Sequence, residues 1–272
     1  MALYDCPVWA ETLAKCRRTR RTLRRIQRRV AIRVVRAYRT VSTEAALNLA
    51  GSLHFDLQAV AAAEVYRRRR EYRRSGVDPP GEAVEEWKRQ SRRRTRVAWW
   101  WELLVSPAAR KRAVGAVLAN FDSWLDGGHG GLTFWHTQVL TEQGCFDEYL
   151  HKVGAEATSE GHQYGAVLNT AQHTVEECPS FAGQRRALQM EIGCDLSLPA
   201  VVAAMVDCER SWKAVAFFCE AVISQKEADE RERELADEGG GQPPLLPIPS
   251  LVEGSVPRGP ELRESLAARC PP

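Results

Sequence analysis

Arg17, Arg21, Arg25, Arg29 and Arg33 stand at four-residue intervals, one helical turn apart, in a segment whose apolar residues keep a compatible rhythm. Leu23, Ile26, Val30, Val34, Ala37 and Val41 recur at steps of three and four, the signature of one face of an α-helix. Strand pairing needs a period of two, which this segment lacks, so residues 10–41 are expected to form one long amphipathic helix. With the apolar stripe inward, Arg21, Arg25, Arg28, Arg36 and Arg39 fall on the opposite side. Five arginines in an i,i+4 row repel one another and weaken the helix that carries them. A polyanion, or acidic residues elsewhere in the chain, would relieve that repulsion.

The same pattern continues downstream. Ser42 or Thr43 can cap a short helix, "TEAALNLAG", closed by Gly51. A third helix starts near Asp56 and runs through Arg67, Arg68, Arg69 and Arg70 to the turn "SGVDPPG". Helix resumes near Glu82, carries Arg92, Arg93 and Arg94 within the basic stretch 88–96, and ends at Pro107. "ARKRAVGAVLANFDSWL" reads as a further helix, stopped by "DGGHGG". That loop follows no strand and lacks a phosphate-loop lysine, so it is a helix breaker rather than an anion cradle. Residues 132–151 are mostly helical in pattern and 152–180 are short-element or loop-like. Helices follow near 182–192, 198–209 and 209–237, the last with a stripe of Trp212, Val215, Phe218 or Cys219, and Val222. No segment alternates as a strand would, and the expected fold class is all-α, an irregular helical array with long Arg-rich amphipathic helices.

Charge divides this array. Residues 1–112 hold 27 Lys+Arg against 11 Asp+Glu, and residues 113–272 hold 11 against 24, so a net charge of only +3 conceals a basic and an acidic half. Three regions follow: a basic helical region 1–112, a helical region 113–237, and a tail 238–272. The tail carries eight of the fourteen prolines and is expected to be disordered. A basic half dominated by arginine points to RNA or DNA, bound through phosphates and largely without reading sequence. The candidate contacts are Arg17, Arg18, Arg21, Arg25, Arg28, Arg29, Arg33, Arg36, Arg67, Arg68, Arg69, Arg70, Arg92, Arg93 and Arg94. Trp99, Trp100 and Trp101 fan over about 200° of a helix, too wide for one apolar stripe. They either wedge between two packed layers or leave one ring for a base or a partner.

Enzymatic signatures are missing from the sequence. It contains no GxSxG, P-loop or HExxH pattern and no two adjacent aspartates, so no catalytic residue is assigned. No apolar run approaches the roughly 20 residues of a membrane span, and the start lacks the pattern of a secretory signal. An intracellular protein, nuclear or cytoplasmic and without a membrane partner, is expected. Eight scattered cysteines with no CxxC then read as free thiols. His173 and Cys178 have the spacing of the second half of a zinc knuckle, but positions 161 and 164, where two thiolates belong, are Gly and Tyr. His162 could give a third ligand, and Cys145 or His151 only through the tertiary fold. His173 and Cys178 are therefore read as residual ligands without metal, and no cofactor is expected beyond a residual chance of zinc.

Several blocks together resemble a known family. "MALYDCPVWAETLAKCRRTRRTLRRIQRRVAIRVVRAYRTVSTEAALNLAG" is similar to the segment after the polymerase thumb in non-LTR (LINE-type) retrotransposon reverse transcriptases of insects. "HGGLTFWHTQVLTEQGCFDEYLHKVG" resembles their "HG…F.LTQ.LTGHGCF..YL" block, and "NTAQHTVEECPSFAGQR" the second half of their Cys-Cys-His-Cys knuckle. The resemblance spans roughly 1–235. It implies the C-terminal part of a reverse transcriptase polyprotein, with endonuclease and catalytic palm upstream, a knuckle of which only His173 and Cys178 are kept, and a role in holding template RNA and target DNA. Polymerase activity is not expected from this chain alone. Other readings of the residues are a helical protein-interaction module, its basic half docked on its own acidic half or on a partner, and a translated pseudogene fragment.

Overall fold

The computed structural model describes residues 3–110, 112–127, 129–154 and 169–238, with the side chains of 109–110, 233–234 and 236–238 excluded. Among the described residues the protein is all-α, with thirteen α-helices, two short 3-10 turns and no strand. None of these helices is long and apolar enough to cross a membrane. The tail 239–272, expected to be disordered, lies outside the described residues, as do Gly161, His162 and Tyr164.

The expected helix over 10–41 is two helices. α1 (Cys6–Lys15) ends where Cys16 takes an extended conformation, and α2 (Arg17–Val34) follows at once. α2 stops because Arg36 turns left-handed (φ 52°), which lets the Arg36 and Ala37 N–H groups bond back to the carbonyls of Arg33 and Ile32. α3 (Thr43–Leu49) starts with the Ser42 hydroxyl accepting the Ala45 N–H, the capping role expected for Ser42 or Thr43, and Gly51 (φ 58°) closes it.

α2 is also rotated from the orientation its apolar pattern predicts. Ile26, Val30 and Val34 are exposed, and Gln27, Ala31 and Val35 are buried instead. The difference is one residue, about 100° of rotation. Polar bonds decide it. The Gln27 amide donates to the Ser52 hydroxyl and the Leu53 carbonyl, and its oxygen accepts the Phe55 N–H at the start of α4 (Phe55–Arg73). One face from Gln27, Arg24 brackets the α4 residue Asp56 through two bonds of 3.1 and 2.8 Å and reaches Glu102 of α5 (Gly81–Leu104) at 2.9 Å. Burying Ile26 or Val30 would turn these groups to solvent and leave Asp56 and the Phe55 N–H buried and unpaired, which costs more than exposing aliphatic side chains.

α4 and α5 form an antiparallel hairpin with α1 against its base, where Cys6, Ala10 and Leu13 meet Ala59 and Ala63. Small residues let these backbones approach closely. A second cluster joins Ala31 and Val41 to the α3 alanines and to Trp99, Leu103 and Phe121. The largest core gathers α6 (Arg112–Ala119), α8 (Phe134–Thr141), α10 (Ala171–Glu176), α11 (Ala182–Ile192), α12 (Leu198–Asp207) and α13 (Glu209–Glu238). Trp212, Val215, Phe218, Cys219 and Val222 are buried in it, as the stripe in 209–237 predicts. α6 serves two cores, giving Val114 to the second cluster and Ala113, Ala116 and Val117 to the largest. Val35 and Leu49 also reach the largest core, so the basic and acidic halves share packing. α7 (Phe121–Leu125) ends at the Gly-rich loop, and α9 (Asp147–Lys152) follows α8 after a turn at Gly144. Gly144 has φ 116°, and a Cβ there would lie 1.8 Å from the buried Gln138 amide oxygen, so only glycine fits.

Candidate nucleic-acid interface

Helix geometry sorts the fifteen candidate arginines into two patches and a set of structural ties. On α2, Arg18, Arg25, Arg29 and Arg33 share the outer side, flanked by Arg21, with Arg17 at the start and Arg36 just past the end; all seven are exposed. Among the described residues, none of the seven side chains forms an ion pair. The exposed apolar row Ile26, Val30 and Val34 runs directly beside this basic side. Arg28 is different: it is half-buried and donates to the carbonyls of Arg39 and Val41, holding the chain that leaves α2.

The second patch lies on the α4–α5 hairpin. Arg67, Arg69, Arg70, Arg92 and Arg93 are exposed there. Arg68 and Arg94 converge on Glu64 at 3.1 and 2.8 Å, and Arg68 also reaches the Gln90 amide oxygen, so these two arginines fasten the hairpin. Ser91 adds a bond to the Ala61 carbonyl, and Tyr72 packs on Trp87. Because Arg24 grips the first turn of α4 at Asp56, residues 67–70 lie about 20 Å further along the axis. Among the described residues, twelve of the fifteen candidates are exposed without a side-chain bond, and Arg28, Arg68 and Arg94 hold the fold together.

Three basic residues outside the fifteen candidates are singled out by the structure. Arg24 sits among outward arginines in the sequence but is a half-buried anchor between helices; only the placement of Asp56 and Glu102 reveals it. Arg89 and Arg96 join Arg92, Arg93 and Val97 on one wall of an open cleft of about 560 Å³, with Asp122 and Asp126 of the α7 region opposite. Arg96 spans the cleft to Asp126 at 2.5 Å and Asp122 at 3.9 Å, and this pairing holds the Asp126 carboxyl below the usual carboxylate range. Among the described residues, Arg96 makes the ion pairs that link the arginine-rich region to acidic residues beyond 112. Other acidic side chains of the second half pair locally, as Glu191 does with Arg210, and Glu209 with Lys213.

The three tryptophans divide as their fan requires. Trp99 is fully buried, edge-on to His54 and Phe121 at ring-centre distances of 5.6 and 5.4 Å. Trp100 is half-buried against the second core, and Trp101 is 55% exposed.

At the knuckle, Thr170 caps α10 by accepting the His173 N–H, and the His173 Nδ1 lies 3.5 Å from Glu177. Cys178 is fully buried in the largest core, and its carbonyl accepts from the Arg185 guanidinium. Beside this segment lies Lys226, the first residue of the charged run "KEADERERELADE". It is 2% exposed, donates to Asn169 Oδ1 at 2.5 Å, and lies 5.6 Å from the ring centres of Phe146 and Phe181. Asn169 in turn donates to Asp147 at 2.8 Å. Burial pushes the Lys226 ammonium toward its neutral form, opposed by Cys145, Asp147 and Cys178 nearby. Among the described residues no group of three or more His, Cys, Asp or Glu side chains converges as a metal site.

No family model matches this chain, and neither a curated protein nor a solved structure matches it.

Proposed function

We propose that this chain is a non-catalytic nucleic-acid-binding protein that grips RNA or DNA phosphates through the arginines of α2 and of the α4–α5 hairpin. The observation that carries this reading is the lack of internal neutralisation. Seven exposed arginines on and just after α2 have no ion pair among the described residues, although residues 113–272 carry 24 acidic residues. Like charges held one turn apart destabilise their helix, and a phosphate backbone removes that repulsion while releasing counterions. The arginines lie on helix surfaces, suited to phosphates rather than to base edges.

The resemblance to the C-terminal region of non-LTR retrotransposon reverse transcriptases supports the same reading and supplies an origin for it, with His173 and Cys178 as the residue of a lost knuckle. A salt titration tests the function. Binding of labelled RNA and duplex DNA to the full chain should weaken linearly in log affinity against log salt. Affinity that is absent at low salt, or indifferent to salt, would sink the proposal.

One observation favours a second reading, a protein-interaction module. Ile26, Val30 and Val34 form an exposed apolar row along α2. Its occupant would be a protein, and replacing the row by serine would then abolish a complex seen by light scattering while leaving nucleic-acid affinity intact.

A further inference from the structure

Two ridges run side by side along the exposed face of α2. One is the row Arg17, Arg21, Arg25, Arg29 and Arg33, and the other is Ile26, Val30 and Val34, each more than half exposed. Both advance by i,i+4 steps. Ile26 and Arg29 are i,i+3 neighbours about 60° apart round the axis, and so are Val30 and Arg33. The rows are therefore adjoining ridges with a groove between them, one wall aliphatic and the other guanidinium. Over its length of about 12 Å the aliphatic ridge winds about 80° round the helix. Gln27 and Arg24 fix the opposite side of α2 on the start of α4, so this face is held outward. Among the described residues none of the five arginines forms an ion pair, and phosphate contacts alone would leave the aliphatic wall in water.

We infer that this groove is the docking site for an acidic amphipathic helix of a protein partner. The partner's apolar row covers Ile26, Val30 and Val34, and its carboxylates pair with Arg25, Arg29 and Arg33. Naming the partner's chemistry deepens the protein-interaction reading above, on which it rests, and is independent of nucleic-acid binding. Charge and shape choose this occupant. Adjoining i,i+4 ridges are the surface on which a second helix packs, its own ridge entering the groove. A partner helix with an apolar row beside an acidic row matches both walls at once. The α2 of a second copy would meet the aliphatic ridge but bring only more arginines to the charged one. An anionic lipid surface would serve the arginines, yet a flat surface touching Ile26 leaves Val34 turned away.

The test uses the full chain and a fluorescein-labelled synthetic peptide of about 18 residues, above the length at which isolated helices become marginal. The peptide carries leucines on one i,i+4 row and glutamates on the adjoining row, and a control of the same composition has both rows scrambled. The ordered peptide should bind about tenfold more tightly than the control. Val30→Ser/Val34→Ser should weaken its binding about tenfold and leave RNA affinity unchanged. Arg29→Gln/Arg33→Gln should weaken it by about the same factor and reduce its salt dependence. Thermal melts that coincide with the parent show that the variants fold, as their exposure predicts. Equal affinity for the two peptides, or no loss in the serine variant, overturns the inference. Should the serine variant keep its peptide affinity and instead dissociate a dimer in light scattering, the face belongs to a second copy, and the inference fails while the protein-interaction reading stands. Should it keep its peptide affinity and instead lose binding to phosphatidylglycerol vesicles, a lipid surface is the occupant and both fail. Peptide binding with the expected losses, in a chain without affinity for RNA, would end the nucleic-acid function and support this inference.

Discussion

Arg24 and Arg25 are neighbours of the same type, and the fold gives them opposite work. Arg24 bridges Asp56 and Glu102, and the Asp56 carboxylate is almost fully buried. Arg25 faces solvent on the basic side of α2. Arg24→Gln leaves a buried carboxylate without its cation and should cost about 3 kcal/mol, read as a lower urea midpoint. Arg25→Gln should leave the midpoint unchanged to about 0.5 kcal/mol and weaken RNA binding instead. Equal losses of stability would mean that α2 is not oriented as described. Nothing in the local sequence separates these two residues, since their roles depend on a partner 32 positions away in one case and on solvent in the other.

At the scale of elements, the periodicity locates helices well and orients them less well. The short capped α3, the break at the Gly-rich loop and the buried stripe of α13 all follow from side chains within a few residues of one another. The face that α2 buries does not. Its inward surface is set by the Gln27 bonds to Ser52, Leu53 and Phe55, contacts 25 to 28 positions away. The consequence is measurable. Ala31 is 2% exposed and Val30 is 52% exposed, so Ala31→Leu should overpack the helix contact and cost about 2 kcal/mol. Val30→Ser should change stability by less than about 0.5 kcal/mol. The reverse ranking in thermal melts would restore the orientation that the apolar stripe predicts.

For the whole molecule, two buried histidines make stability depend on pH. His136 is fully enclosed: its Nδ1 accepts the Thr133 N–H, and its Nε2 has no partner among the described residues. Burial pushes it down to about 4. His54, buried beside Arg24, is also pushed down to about 4, by burial first and by the guanidinium second. Both are neutral in the folded chain at pH 7 and take up protons more readily when unfolded. The stability they contribute is present above about pH 6.5 and is lost as pH falls through the window down to about 4, on the order of 3 kcal/mol for each. Urea midpoints at pH 7 and pH 4.5 measure the loss, and His136→Gln should remove about half of it. Equal midpoints in the parent would mean that neither histidine is shielded from water.

Sequence alone was enough for the helical class, most element positions and the charge division, because each depends on the spacing of neighbouring side chains or on a simple sum. The tertiary structure decided which face each helix buries, that Arg28, Arg68 and Arg94 tie parts of the fold together, that Lys226 is a core residue, and that Trp101 alone of its triplet is left largely open. Those outcomes turn on long-range partners. A buried polar group must find its counterpart, and where that counterpart lies tens of residues away, no local pattern announces it.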